Sequence, residues 1–255
     1  GMVLDNEGYP VCCEMWPGNT TDVTTLKVLT KQLKERFGVE RICVVSDRGM
    51  ISQKALKELE KEGIHYILGV RMRRNLEVTA ELLEGGTWVE VYGPRQRQKD
   101  PSPLLVKEKT VNARRYVICE NPEEKKSDAD MRAKILGSLS DALRKGDTSL
   151  IGNKGYRRFL SVEGKGHFVV DEKKVRNDAR FDGKWVLTTD MALPMPQVAL
   201  KYKQLILVEM IFRDMKSVLD TRPIFHKCDE TIRGHVFCSF LALVLRKELD
   251  RMLEH

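Results

Sequence analysis

The sequence predicts an α/β fold, and three observations carry that prediction. A short apolar run at Arg41–Val45 leads into Asp47, a loop, a helical stretch and a second apolar run at Ile64–Val70. That is the order of a parallel strand–helix–strand unit, which sets functional groups at the carboxyl ends of its strands. Short alternating stretches recur between Thr87 and Asp171, with the period of half-buried strands. Long stretches without proline, Lys203–Leu219 and Asp229–Glu254, then carry the chain toward its end with helical spacing.

Composition bounds the class. The 255 residues are 42% apolar and 32% charged, enough for one large domain or a domain with an insertion, and this excludes a disordered chain. The net charge of +7 is spread along the sequence, favouring a polyanionic partner over a small acidic substrate. No apolar run approaches the ~18–20 residues of a membrane span, and no signal peptide is evident, so a cytoplasmic protein without a membrane partner is expected. The six cysteines, Cys12, Cys13, Cys43, Cys119, Cys228 and Cys238, lack disulfide-framework spacing and read as reduced thiols. His226, Cys228, His235 and Cys238 are zinc-type ligands, but His235 and Cys238 fall inside an apolar helical pattern. A structural role is the preferred reading there.

Taken in order, Gly1–Asp5 and Tyr9–Met15 read as two strands joined by a turn at Asn6-Glu7-Gly8. Trp16–Thr20 breaks the second strand. Thr21 or Asp22 caps a helix to about Phe37, with Val23, Leu26, Leu29 and Leu33 at helical spacing. Ser52 caps the helix of the parallel unit, which runs to about Glu62. Beyond Leu76, Gly, Pro and charges rise at Tyr92–Pro103. Strands are expected at Thr87–Val91, Leu105–Thr110, Arg115–Cys119, Gly166–Asp171 and Lys184–Thr189, with a helix containing Met131–Leu143. The expected divisions are 1–75 for the first part of the core, 76–190 for a β-rich insertion and 191–255 for completing helices.

If Lys203–Leu219 continues one helix back through Tyr202, then Tyr202, Glu209 and Lys216, seven residues apart, share a narrow stripe. Val208, Phe212, Met215 and Leu219 make a neighbouring apolar stripe, which puts Glu209 at the margin of a buried face. The same spacing suits merely solvated charges equally well. Asp47, taken alone, could likewise be an ordinary turn aspartate.

Tyr202, Glu209 and Lys216 match the Tyr-x2-Arg-x3-Glu-x6-Lys signature, with Leu205 at the Arg position. In this the chain resembles DDE transposases of bacterial insertion sequences, in the insertion sequence 4 group. The resemblance extends over Pro17-Gly18-Asn19 with Asp22, Asp47-Arg48-Gly49-Met50, Arg213, Thr221–His226, Ile232–His235 and Leu241–Leu243. It implies a ribonuclease-H-like mixed sheet, a β-rich insertion ahead of the helix bearing Glu209, and carboxyl-terminal helices. It also implies Asp47 and Glu209 as catalytic, metal-binding carboxylates for Mg²⁺ or Mn²⁺, with Tyr202 and Lys216 on DNA phosphates. Arg48, Arg213 and Arg222 are further phosphate candidates that could equally serve in surface ion pairs. Trp185 stands where relatives set a tryptophan against an unpaired base, and a core aromatic is the competing reading.

The family's first aspartate sits on the first strand of its sheet. It is expected upstream of Gly1, leaving that strand missing here, because Asp5 stands at a hairpin turn. The implied activity is cleavage at transposon ends and strand transfer into target DNA, by a homodimer in a synaptic complex at the bacterial nucleoid. An upstream segment would complete the enzyme, and this chain alone is expected to be inactive. The alternative is a catalytically inactive, DNA-binding transposase remnant.

Overall fold

Asp5 closes the first hairpin. Its Oδ1 accepts the backbone N–H groups of Glu7 and Tyr9 at 2.8 and 2.9 Å, an Asx-type turn in which Gly8 takes a φ of 86°. The flanking strands are β1 (Met2–Leu4) and β2 (Pro10–Cys13), antiparallel with Met2 opposite Cys13. The computed structural model describes residues 2–5, 7–17, 20, 22–39, 41–47, 53–72, 83–144, 146, 154–163, 167–217, 219 and 221–253. By internal contacts the chain divides into two units, Gly1–Leu68 with Leu200–His255, and Gly69–Ala199.

In the first unit, α1 (Asp22–Phe37) is followed by β3 (Cys43–Ser46), α2 (Gln53–Lys61) and β4 (His65–Val70), whose last two residues pass into the second unit. β3 and β4 are parallel, with Cys43 opposite His65 and Ser46 opposite Leu68. Leu56 and Leu59 of α2 are buried against Ile64, Tyr66 and Leu68, so the crossover helix covers the face its leucines select. The strand–helix–strand reading is therefore met, and Asp47 follows directly on the end of β3.

The second unit holds β5 (Val89–Tyr92), β6 (Leu104–Val111), β7 (Arg114–Glu120), α3 (Pro122–Arg144), α4 (Lys154–Arg157), β8 (Leu160–Glu163), β9 (His167–Val170), α5 (Glu172–Ala179) and β10 (Lys184–Thr189). β6 and β7 meet through Asn112 and Ala113, both at positive φ, the geometry of a two-residue hairpin turn. β8 pairs with β9 in a two-stranded sheet, and α5 is capped by Asp171, whose side chain accepts from Lys173 and Lys174 N–H. The remaining strands belong to one six-stranded mixed sheet in the order β3-β4-β10-β7-β6-β5.

Gly183 fixes how β10 enters that sheet. Its φ is 59°, its N–H donates to Asp128 Oδ2 at 2.9 Å, and an added Cβ would sit 2.5 Å from Lys125 N and closer still to Asn121 O. Gly183→Ala combines left-handed backbone strain with a collision against α3, and is expected to cost about 2–4 kcal/mol. Denaturant melts check this. Gly183→Asn tolerates the backbone angle better but keeps the collision, so it should be nearly as damaging. Wild-type stability in the Asn variant would rule the collision out as the cause.

The expected single helix over Lys203–Leu219 is corrected. The structure has α6 (Met195–Lys203) and α7 (Leu205–Ser217), separated at Gln204. Gln204 N–H is shared between Leu200 O and Lys201 O, and Leu207 N–H bonds Gln204 O at 2.9 Å, a three-residue step that interrupts the regular ladder. Tyr202 consequently lies on α6, and Glu209 and Lys216 lie on α7. The chain closes with α8 (Asp229–Leu253), whose Leu243 is buried with Ile211 and Met215 of α7, alongside Met2, Leu4 and Leu219.

Candidate active site

β3 delivers Asp47. The strand is half-buried up to a buried Ser46, and Asp47 is the first exposed residue beyond it. Tyr202, half-buried in the last turn of α6, donates its phenol O–H to Asp47 Oδ1 at 2.9 Å, across 155 residues of sequence. Both belong to the same unit.

α7 delivers Glu209. Its buried positions are Ile211 and Met215, which turns the opposite side outward. Glu209, Arg213 and Lys216, at i, i+4 and i+7, are all exposed, so one helix face presents a carboxylate and two cations. Tyr202, the third residue of the expected stripe, lies on the preceding helix. Arg222 is exposed just after Thr221. Arg48, Gly49 and Met50 of the aspartate motif lie outside the described residues, as do Gly18, Asn19, Thr21 and Ser52.

Trp185 is 8% exposed on β10, opposite Cys119, and its indole N–H is buried without a hydrogen-bond partner. That placement fits the core-aromatic reading, since stacking on a base requires an open ring face. The zinc alternative is not assembled. The His226 and His235 rings are 5.4 Å apart between centroids, His235 Nε2 lies 3.2 Å from Thr221 O, and Cys228 and Cys238 are exposed free thiols. Among the described residues, no group of three or more His, Cys, Asp or Glu side chains is placed to hold a metal ion. The donor chemistry of Asp47 and Glu209, exposed hard carboxylate oxygens, nevertheless fits Mg²⁺ or Mn²⁺ far better than a thiophilic ion. Among the described residues, no helix is long and apolar enough to cross a membrane.

Sequence reasoning missed the Tyr202–Asp47 contact. The motif gave both residues but assigned the phenol to DNA, and no local pattern reports a bond between such distant positions.

Comparison with known proteins adds a family. The transposase DDE domain matches residues 2–245. Neither a curated protein nor a solved structure matches the chain. The mixed sheet followed by carboxyl-terminal helices agrees with the ribonuclease-H-like fold of such domains. With Asp47 at a strand end and Glu209 on a following helix, and with the match running over most of its length, the chain belongs to the transposase DDE domain family.

Proposed function

We propose that this domain carries out the cleavage and joining steps of DNA transposition, in the manner of the insertion sequence 4 group. Asp47 and Glu209 would supply two of the metal-binding carboxylates. The observation that carries the reading is the family match together with the position of Asp47, hydrogen-bonded by Tyr202 just beyond the carboxyl end of a parallel strand. Bound Mg²⁺ or Mn²⁺ supplies Lewis-acid stabilisation of the attacking and leaving oxygens of a phosphodiester. The chain's own part is to hold the carboxylates and to seat the DNA. Arg213 and Lys216 share an exposed face with Glu209 and would engage backbone phosphates, and Arg48 and Arg222 are further phosphate candidates. Transposon ends and target DNA are the proposed partners, in a homodimeric synaptic complex at the nucleoid of a bacterial cytoplasm.

DNA binding tests this reading. Affinity should fall as salt rises, because each phosphate contact releases counterions. Lys216→Ala should weaken binding to every sequence and flatten the salt slope by about one unit in fluorescence anisotropy titrations. An unchanged slope would make Lys216 a solvated surface residue.

A second reading, a catalytically inactive DNA-binding remnant, draws on Asp5. That carboxylate is committed to two backbone N–H groups in the hairpin turn, which disfavours it as a third metal ligand. The remnant would bind DNA with the same salt dependence yet show no carboxylate-dependent binding of divalent ions.

A further inference from the structure

We infer that Tyr202 is a positioning residue for the Asp47 carboxylate, so that its phenol prepares a metal ligand instead of contacting a phosphate. The inference rests on the proposed function above, since it takes Asp47 as a metal ligand, and it adds a role that the motif does not assign. Three observations carry it.

The first is the bond itself. Tyr202 Oη donates to Asp47 Oδ1 at 2.9 Å between elements 155 residues apart in sequence. The second is the helix break. Because α6 ends at Lys203 and α7 begins at Leu205, Tyr202 belongs to a different helix from Glu209, Arg213 and Lys216. Tyr202 is half-buried, whereas those three residues are exposed. The third is the pairing of a half-buried donor with an exposed acceptor. A tyrosine ring has only two side-chain torsions, and burying part of it fixes its tip. Asp47 stands just beyond a strand end, where its own torsions have less packing to restrain them.

The physical consequence follows from the chemistry of carboxylates. An ionised carboxylate has about four lone-pair sites on two oxygens, so one phenol hydrogen bond leaves acceptor capacity for an ion. Fixing the carboxylate's rotation before the ion arrives lowers the ordering cost at binding. Partners of this kind, one step removed from the ion, usually change metal affinity by about 10–100-fold when removed. Tyr202→Phe removes the donor and keeps the ring, so packing is preserved.

The test is Mn²⁺ binding by titration calorimetry without DNA, on wild type, Tyr202→Phe and Asp47→Asn, at a temperature well below each protein's thermal melt. DNA affinity without metal is measured on the same proteins. The expected result is a loss of about 10–100-fold in Mn²⁺ affinity for Tyr202→Phe, and a larger loss for Asp47→Asn. DNA affinity and its salt slope should be unchanged in Tyr202→Phe. If Tyr202→Phe binds Mn²⁺ like wild type while Asp47→Asn does not, the positioning role is overturned and the metal site stands. If Tyr202→Phe loses DNA affinity with Mn²⁺ binding intact, Tyr202 returns to the phosphate path. If wild type binds no Mn²⁺, or Asp47→Asn binds it normally, both the positioning role and the metal reading fail.

Discussion

Asp47→Asn and Glu209→Gln are each expected to reduce metal-dependent DNA cleavage by about 10³-fold or more, equivalent to roughly 4 kcal/mol of transition-state stabilisation. Both substitutions remove a charge and keep the shape, and both residues are exposed. Stability should therefore move by no more than about 0.5 kcal/mol. Excision of a donor segment bounded by the element's own ends provides the activity measurement, and a thermal melt provides the control. Activity lost with the melt intact identifies a chemical role. Activity retained in either variant removes that carboxylate from the site. A wild type that binds DNA but neither binds Mn²⁺ nor gives excision would favour the remnant.

The second large effect belongs to folding. Arg132→Met should destabilise the protein by about 3–5 kcal/mol, because it strips the partner from buried carboxylates. Arg132 donates both terminal nitrogens to the two oxygens of Asp182 and lies 3.8 Å from Asp178. The side chains of Arg132, Asp182 and Asp178 are only 11%, 6% and 13% exposed. The bidentate bond to Asp182 raises the Arg132 pKa above its already high ordinary value, against the opposing effect of burial, so the guanidinium stays charged at any working pH. Losing it leaves Asp182 without its cation. Arg158, 3.8 Å from Asp178, would compensate Asp178 in part and keep the loss toward the lower figure. The matching control is Arg132→Met with Asp182→Asn, which removes both charges. It should recover much of the loss in a denaturant melt, because what costs most is the unpaired buried charge. A double variant as unstable as the single one would show that packing, and not charge, dominates.

The sequence was legible where local rules governed. The apolar run ending at Ser46 and the leucines of α2 specify a parallel unit from their neighbours alone, and that placed Asp47 at a strand end. The stretch Lys184–Thr189 reads as a strand and is one, buried on both faces from Trp185 to Thr189. The lapse at Gln204 was not legible, because no proline or glycine marks it and Lys203, Gln204 and Leu205 are all good helix formers. β8 and α5 were missed for a related reason. β8 has four residues, too few to show a period by themselves. α5 has only Val175 and Ala179 as apolar positions, too few to make a helical period.

Lys107 shows the same limit in a strand. A lysine in an alternating run reads as solvent-facing, yet it is 2% exposed. Its Nζ donates to Leu83 O and Gly85 O at 2.7 and 2.6 Å and lies 4.7 Å from the centre of the Trp88 ring. Burial, followed by the repulsion of Lys109 and Lys184, pushes its pKa down. Those partners come from a separate segment, so only the folded chain reveals why the charge is tolerated. The candidate site divides in the same way. The motifs nominate Asp47, Tyr202, Glu209 and Lys216, whereas the Tyr202–Asp47 bond depends on tertiary placement.

The claim that Asp47 and Glu209 share a metal site is tested most directly by iron-directed cleavage of the protein. Fe²⁺ substituted into a Mg²⁺ or Mn²⁺ site generates, with ascorbate and peroxide, radicals that cut the backbone beside the ion's ligands, and mass spectrometry locates the cuts. Two clusters of cuts are predicted, one around Asp47 and one around Glu209, both suppressed by excess Mg²⁺ and both lost in Asp47→Asn. Cuts near only one of the two carboxylates, or cuts that persist unchanged in Asp47→Asn, would contradict a shared site.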